Sequence, residues 1–194
     1  MSVTLSDAEL LGECRAPIPR PAGSTGAPYD LVLLDRDGTL NVHRPGYVSD
    51  PADLVLLPGA AQAVAALQHA GCAVVLITNQ RGMATGELSR AELLDVHRAL
   101  LAGLAIGGAR VDAIQVCPHE KDTCGCRKPR GGLVREALRR APWAAPDRCV
   151  LLGDQLTDLE AAASAGLSAQ KVDGAGSSLQ VVVEKLIRDH ASRV

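Results

Sequence analysis

The chain contains no Phe, one Trp and two Tyr. That scarcity argues against single-strand nucleic-acid binding, which relies on stacking bases on aromatic rings. Excess positive charge is missing too. Twenty basic side chains face 22 acidic ones, for a net charge of -2, so there is no basic field of the kind a general nucleic-acid binder carries. No apolar run approaches the ~20 residues that span a bilayer. The first eleven residues hold acids where a signal peptide needs bases and a long apolar stretch. The expectation is a cytoplasmic monomer with neither nucleic acid nor membrane as partner. What is present is 194 residues, 47% hydrophobic, enough for one domain with a core of Ala, Val and Leu. Six Cys in a reducing compartment need an explanation other than disulfides.

The first 28 residues read as peripheral. Ser6 and Glu9 have capping-box spacing, but Pro17, Pro19, Pro21, Gly23, Gly26 and Pro28 then make a stretch unsuited to regular structure. The expected division is a flexible arm over residues 1–28 and one domain over residues 29–194. Within that domain, residues 31–34, 74–77, 111–116 and 149–152 are short apolar runs suited to strands covered on both faces. Residues 168–172 make a weaker fifth. Helical patterns alternate with them over residues 59–70, 89–104, 132–140, 157–165 and 177–189. Three of these open on capping-box pairs, Ser89 with Glu92, Thr157 with Glu160 and Ser177 with Gln180. The alternation specifies an α/β fold, a doubly wound, mostly parallel sheet with helices on both faces.

Such sheets bind ligands beyond the carboxyl ends of their strands. The polar residues at those ends are Asp35 and Asp37, Thr78 and Asn79, Lys128, and Asp154. Two carboxylates two residues apart on an extended chain lie on one side of it. Keeping both charged in one cleft is costly without a cation, and magnesium, a hard ion with oxygen ligands, suits Asp35, Asp37 and Asp154. One carboxylate can attack an electrophile while its neighbour exchanges a proton with the leaving group.

A second constellation follows the third strand. Cys117, His119, Cys124 and Cys126 place three thiols and an imidazole within ten residues, the ligand set of a structural tetrahedral zinc site. The loop runs directly into Arg127 and Lys128, so the metal is expected to hold both cations toward the rim. Cys72 and Cys149 open apolar strands and read as small core residues, and Cys14 reads as a free thiol in the arm.

The heptapeptide Asp35-Arg36-Asp37-Gly38-Thr39-Leu40-Asn41 after an apolar strand resembles the first motif of the haloacid dehalogenase superfamily, whose members are mostly phosphatases with a Rossmann-like fold. The resemblance implies that Asp35 forms a transient aspartyl phosphate and that Asp37 is the general acid/base. It assigns Thr78 and Lys128 to the transferring phosphoryl group, and Gly153, Asp154 and Asp158 to the metal-binding motif. Cys-Pro-His followed by Cys-x-Cys-Arg-Lys-Pro narrows it to the capless, zinc-loop branch, over about residues 29–172. That branch includes phosphatases for a heptose 1,7-bisphosphate and for histidinol phosphate. The Pro45-Gly46-Tyr47-Val48 segment and residues 78–86 are similar to the heptose type, whereas the short zinc loop is closer to the histidinol type. The implied substrate is therefore a small phosphorylated sugar, with Arg44, Gly46, Tyr47, Asn79, Gln80, Arg81 and Arg127 as its binding residues. Arg81 and Gln155 depart from the branch pattern, at positions where a small residue and a Lys are usual. A receiver-like phosphoacceptor domain, or a zinc-dependent interaction module without catalysis, are the competing classes.

Overall fold

A computed structural model describes residues 5–173 and 178–192. Five strands, β1 (Leu31–Leu34), β2 (Ala73–Asn79), β3 (Ala113–Cys117), β4 (Cys149–Gly153) and β5 (Ser168–Lys171), form one sheet in the order β3-β2-β1-β4-β5. Every pairing is parallel. The helices are α1 (Asp7–Leu10), α2 (Ala60–His69), α3 (Gly82–Thr85), α4 (Arg90–Ile106), α5 (Gly132–Arg140), α6 (Leu156–Ser164) and α7 (Leu179–Ala191).

The apolar runs pair side by side because they are buried on both faces. In β1, Val32 and Leu34 join one core cluster with residues of α2, α4 and α7. Leu31 and Leu33 join the other, with residues of α5 and α6. This is the period-two alternation of a strand between two helical layers. Connections run from β1 through β2 to β3 on one side and then return to β4 and β5 on the other. The order reverses between β1 and β4, and the crevice at that switch point is where such sheets place ligands. The described connections hold no second domain over this rim.

Several local expectations shift. The Ser89–Glu92 box caps α4, and the Ser6–Glu9 box caps α1. The box expected at Thr157 and Glu160 forms two residues earlier, where the Gln155 N–H donates to Asp158 Oδ2 at 3.1 Å. A short carboxylate there reaches back as β4 turns into α6. Ser177 lies outside the described residues, and α7 is capped by Ser178, whose hydroxyl accepts from the Val181 N–H.

The segment ahead of β1 differs most from the loose arm its composition suggests. Leu5, Leu10 and Leu11 are buried in one face cluster and Ile18 in the other. The chain thus crosses between the faces past β3. Gly12 makes the approach, with positive φ and a missing Cβ that would lie 2.4 Å from the Val116 nitrogen. Beyond it, Arg140 Nε donates to Ala16 O (2.8 Å), and Ile18 O accepts from Trp143 Nε1 (2.8 Å). A Pro- and Gly-rich stretch forms only short turns of its own, so partners from distant elements satisfy much of its backbone.

Candidate active site at the switch point

The chain leaves β1 at Leu34 and folds into a tight turn in which Arg36 O accepts from the N–H of Leu40 (2.9 Å) and Asn41 (3.1 Å). Gly38 sits in this turn at φ +90°, and a Cβ there would lie 2.4 Å from Asp154 Oδ2. Only glycine allows both the left-handed backbone and this approach of the β1 turn to the β4 end. Residues 40–42 then pair with 55–57, through Val42 N to Val55 O (2.8 Å) and Leu57 N to Leu40 O (2.9 Å). The pairing closes a flap over residues 43–54 that carries Arg44, Gly46 and Tyr47 to the cleft.

Asp35 and Asp37 both line the cleft, but their carboxylates have separate partners. Asp35, 7% exposed, accepts from Lys128 Nζ at 2.5 Å. The same Nζ stands 2.6 Å from Asp158 Oδ1 and donates to Ile77 O at 3.3 Å. Asp37 turns elsewhere. Its carboxylate accepts from Arg36 Nε (3.0 Å) and Nη2 (2.9 Å), Asn41 Nδ2 (3.0 Å) and Gln80 Nε2 (3.1 Å). The oxygens that converge within 4.8 Å of one another belong to Asp35, Asp154 and Asp158. Asp158 rather than the Asp37 carboxylate is the group that converges with Asp35 and Asp154. Asp154 Oδ2 accepts from the Gln155 amide, while its Oδ1 is buried with no protein partner. An orphaned carboxylate oxygen beside two further carboxylates is a donor set that fits a hard cation.

The electrostatics separate the two motif carboxylates. Burial raises the Asp35 carboxyl, aided by Asp158 and Asp37, against the pull of Lys128. Burial also opposes ionisation of Asp37, but the Arg36 guanidinium overcomes it and holds that carboxyl below its usual range. Burial works against the Lys128 charge, yet Asp35 and Asp158 raise its pKa, so the ammonium is kept.

Asp35, Asp37, Thr78, Arg127 and Lys128 share one cleft of about 240 Å³ with Arg44, Gly46 and Tyr47 of the flap. Asn79 and Gln80 line the same cleft, and they and Arg81 also make contacts within the protein. Asn79 clamps the Lys128 backbone, its Nδ2 donating to Lys128 O and its Oδ1 accepting from Lys128 N–H, both at 3.1 Å. Gln80, 1% exposed, donates to Thr78 Oγ1 (2.8 Å) as well as to Asp37. Arg81 donates to the Tyr47 hydroxyl (3.3 Å) and pairs with Glu120 (3.4 Å), which ties the flap to the cysteine loop. Arg127 does line the cleft, and its Nη1 is buried without a partner. Arg44 reaches the cleft while paired to Asp53 at 2.5 Å.

The sequence reading assigned no role to Asn41 or His97, nor to Arg36 beyond its place in the motif. Arg36 is 1% exposed and His97 fully buried. His97 lies on the α4 stripe with Leu93, Val96, Leu100 and Leu104. A polar ring on an apolar stripe needs a buried partner, and that was the legible signal.

The cysteine loop closes as expected. Cys126 Sγ lies 3.3 Å from both Cys117 Sγ and Cys124 Sγ, and Cys117 and Cys124 are 3.6 Å apart. His119 Nδ1 lies 3.2 Å from Cys126 and 3.8 Å from Cys117. Ligands about 2.3 Å from a tetrahedral zinc stand about 3.8 Å apart, so the four atoms fit that ion closely. No disulfide forms among the described Cys residues, and Cys72 and Cys149 are buried.

Comparison with known proteins agrees with this geometry. Residues 41–166 match the family model described as haloacid dehalogenase-like hydrolase. A Mycobacterium bovis protein named D-glycero-alpha-D-manno-heptose-1,7-bisphosphate 7-phosphatase is 42% identical over 76% of this chain and 80% of its own length. A Bordetella bronchiseptica protein named for the beta anomer of the same substrate is 43% identical over 70% of this chain and 76% of its own. The crystal structure of the B. bronchiseptica D,D-heptose 1,7-bisphosphate phosphatase, complexed with magnesium and phosphate, superposes with a TM-score of 0.77. It is 36% identical and covers 82% of this chain and 99% of that one. With the family model over residues 41–166, the fold match and relatives above 40% identity, the chain belongs to the haloacid dehalogenase-like hydrolase family.

Proposed function

We propose that the protein removes the 7-phosphate of D-glycero-D-manno-heptose 1,7-bisphosphate by way of an aspartyl phosphate on Asp35. The observation that carries this reading is Lys128, held 2.5 Å from Asp35 and 2.6 Å from Asp158 at the floor of a cleft that also presents Asp37. A buried carboxylate beside a fixed cation is set up to attack phosphorus while the cation offsets charge on the phosphoryl oxygens.

In the first step an Asp35 oxygen bonds to phosphorus as the bond from phosphorus to the sugar oxygen breaks. Asp37, an ionised carboxylate in the free protein, takes up a proton from solvent as the substrate enters and passes it to that oxygen, and the free alcohol leaves. In the second step Asp37 takes a proton from water as the water oxygen bonds to phosphorus. The bond to Asp35 breaks, inorganic phosphate leaves and the carboxylate returns. Thr78 and Lys128 hold the phosphoryl oxygens throughout, since phosphoryl transfer depends chiefly on positioning and charge neutralisation. Asp35 and Asp154, with Asp158 beside them, would hold magnesium, which would supply further positive charge to the same oxygens. Cys117, His119, Cys124 and Cys126 would hold zinc, which would anchor the loop that carries Arg127 and Lys128. The unpartnered Arg127 guanidinium and Arg44 take the second, non-reacting phosphate, while Arg81 sets the position of Tyr47 on the flap. The protein acts as a monomer on a small sugar substrate, and the hydrolase family match replaces the receiver-like alternative.

The test is the specificity constant for both anomers of the heptose bisphosphate, for fructose 1,6-bisphosphate and for histidinol phosphate. The heptose compounds are expected to exceed the others by at least about tenfold, the scale of one anion contact. A preference for histidinol phosphate would overturn the substrate assignment.

A further inference from the structure

Three buried groups link the segment ahead of β1 to the acid/base carboxylate. The Leu10 carbonyl, at the end of α1, lies 2.6 Å from His97 Nδ1 on α4. His97 Nε2 lies 3.3 Å from Arg36 Nη1. Arg36 then grips Asp37 with Nε and Nη2 at 3.0 and 2.9 Å. Leu10 is 3% exposed, Arg36 1% and His97 0%.

The chemistry admits one arrangement of protons. A guanidinium has only donors, so His97 Nε2 must accept from Arg36. Its proton therefore sits on Nδ1 and goes to the Leu10 carbonyl, which can only accept. The ring is neutral, in agreement with the low pKa that burial and Arg36 impose on it. Without the Leu10 carbonyl the ring loses the bond that selects this tautomer. Without the ring, Arg36 loses one of the contacts that aim its fork. An arginine buried beside two motif carboxylates has other acceptors within reach, so its direction has to be enforced.

We infer that His97 is a positioning residue for Asp37, and that the segment ahead of β1 belongs to the catalytic apparatus because its Leu10 carbonyl orients His97. The inference rests on the reading of Asp37 as the group that protonates the leaving oxygen. A misaimed acid matters most when the leaving oxygen is a poor one, as in a sugar phosphate, and least for 4-nitrophenyl phosphate, whose anion leaves without protonation.

Two substitutions of similar size separate the links. In His97→Gln the side-chain carbonyl can still accept from Arg36. In His97→Asn the amide can reach the Leu10 carbonyl but is too short to reach Arg36. For the heptose bisphosphate, kcat/KM is expected to fall about tenfold in His97→Asn, a general-acid alignment effect, and to be largely rescued in His97→Gln. For 4-nitrophenyl phosphate both variants are expected to stay within about twofold of the parent. Deleting residues 1–12 also costs stability through Leu5, Leu10 and Leu11, so its rates are read per folded molecule by circular dichroism; on that basis it is expected to reproduce the His97→Asn pattern, and combining the two is expected to add nothing, because they break one chain of contacts. Equal losses on both substrates in the Asn variant, or none on either, would overturn the inference. Asp37→Asn is the separate control. If it keeps full turnover of the heptose substrate, the acid/base reading itself fails. If it is inactive while His97→Asn is normal, only the brace fails.

Discussion

Asp35 and Asp37 are two residues apart and do opposite things with their charge. Asp35 is buried against Lys128 and Asp158, which suits a nucleophile whose charge moves onto a phosphoryl group. Asp37 is gripped by four donors, which suits a carboxylate whose position must not drift while a proton comes and goes. Asp35→Asn is expected to abolish turnover while leaving the circular dichroism spectrum and zinc content unchanged. Turnover near the parent level would show that another group attacks phosphorus. Lys128→Ala removes the cation between two buried acids. It is expected to lose activity and about 3–5 kcal/mol of stability, as when one partner of a buried ion pair is removed, measured by urea denaturation. Asp35 and Asp37 could be named from the sequence because they are neighbours in one recognisable segment. Their separate partners could not, because Lys128, Asp158, Asn41 and Gln80 reach them only once the chain is folded.

At the scale of elements, α4 and the cysteine loop each carry a feature that solution measurements can reach. His97 on α4 is buried and its pKa is lowered to about 3 by burial, with Arg36 adding to the effect. In the unfolded chain it titrates near 6.5. Between those values the unfolded state binds the extra proton, so stability is full above about pH 6.5 and falls as pH falls toward 3. At pH 5 the expected loss is about 2 kcal/mol, and urea midpoints at pH 7 and 5 should differ less in His97→Gln than in the parent. The cysteine loop has no apolar core of its own. Metal analysis is expected to find about one zinc per chain, and Cys124→Ser should lower both zinc content and thermal midpoint, since binding energy at such a site is folding energy. A zinc-free protein of unchanged stability would refute that reading. The ligand loop was legible because its donors fall within ten residues. Asn79 and Gln80 were read as substrate contacts because the motif places them at the rim. Their amides face Lys128, Thr78 and Asp37 only once β2 and the loop after β3 are brought together.

For the whole molecule, residues 5–28 are a strap across both faces of the sheet. Removing residues 1–20 would uncover the contacts of Leu5, Leu10, Leu11 and Ile18. It is expected to cost about 6–12 kcal/mol as an upper bound, from about 1.5–3 kcal/mol for each of the four buried aliphatic side chains, with calorimetry or urea denaturation as the measure. A truncated chain as stable as the parent would mean these contacts contribute little.

The sequence by itself determined the strands, their parallel order, the rim that carries the chemistry and the two donor clusters. Each is written in short-range pattern: continuous apolar runs, alternation with helical periods, and ligands close together in the chain. Only the tertiary structure decided that Lys128 stands between Asp35 and Asp158, that His97 stands behind Arg36 and Asp37, and that the Pro-rich start of the chain is bound into the fold. Lys128 and Asp35, His97 and Arg36, and the start of the chain and the sheet are tens of positions apart, beyond the reach of any local pattern.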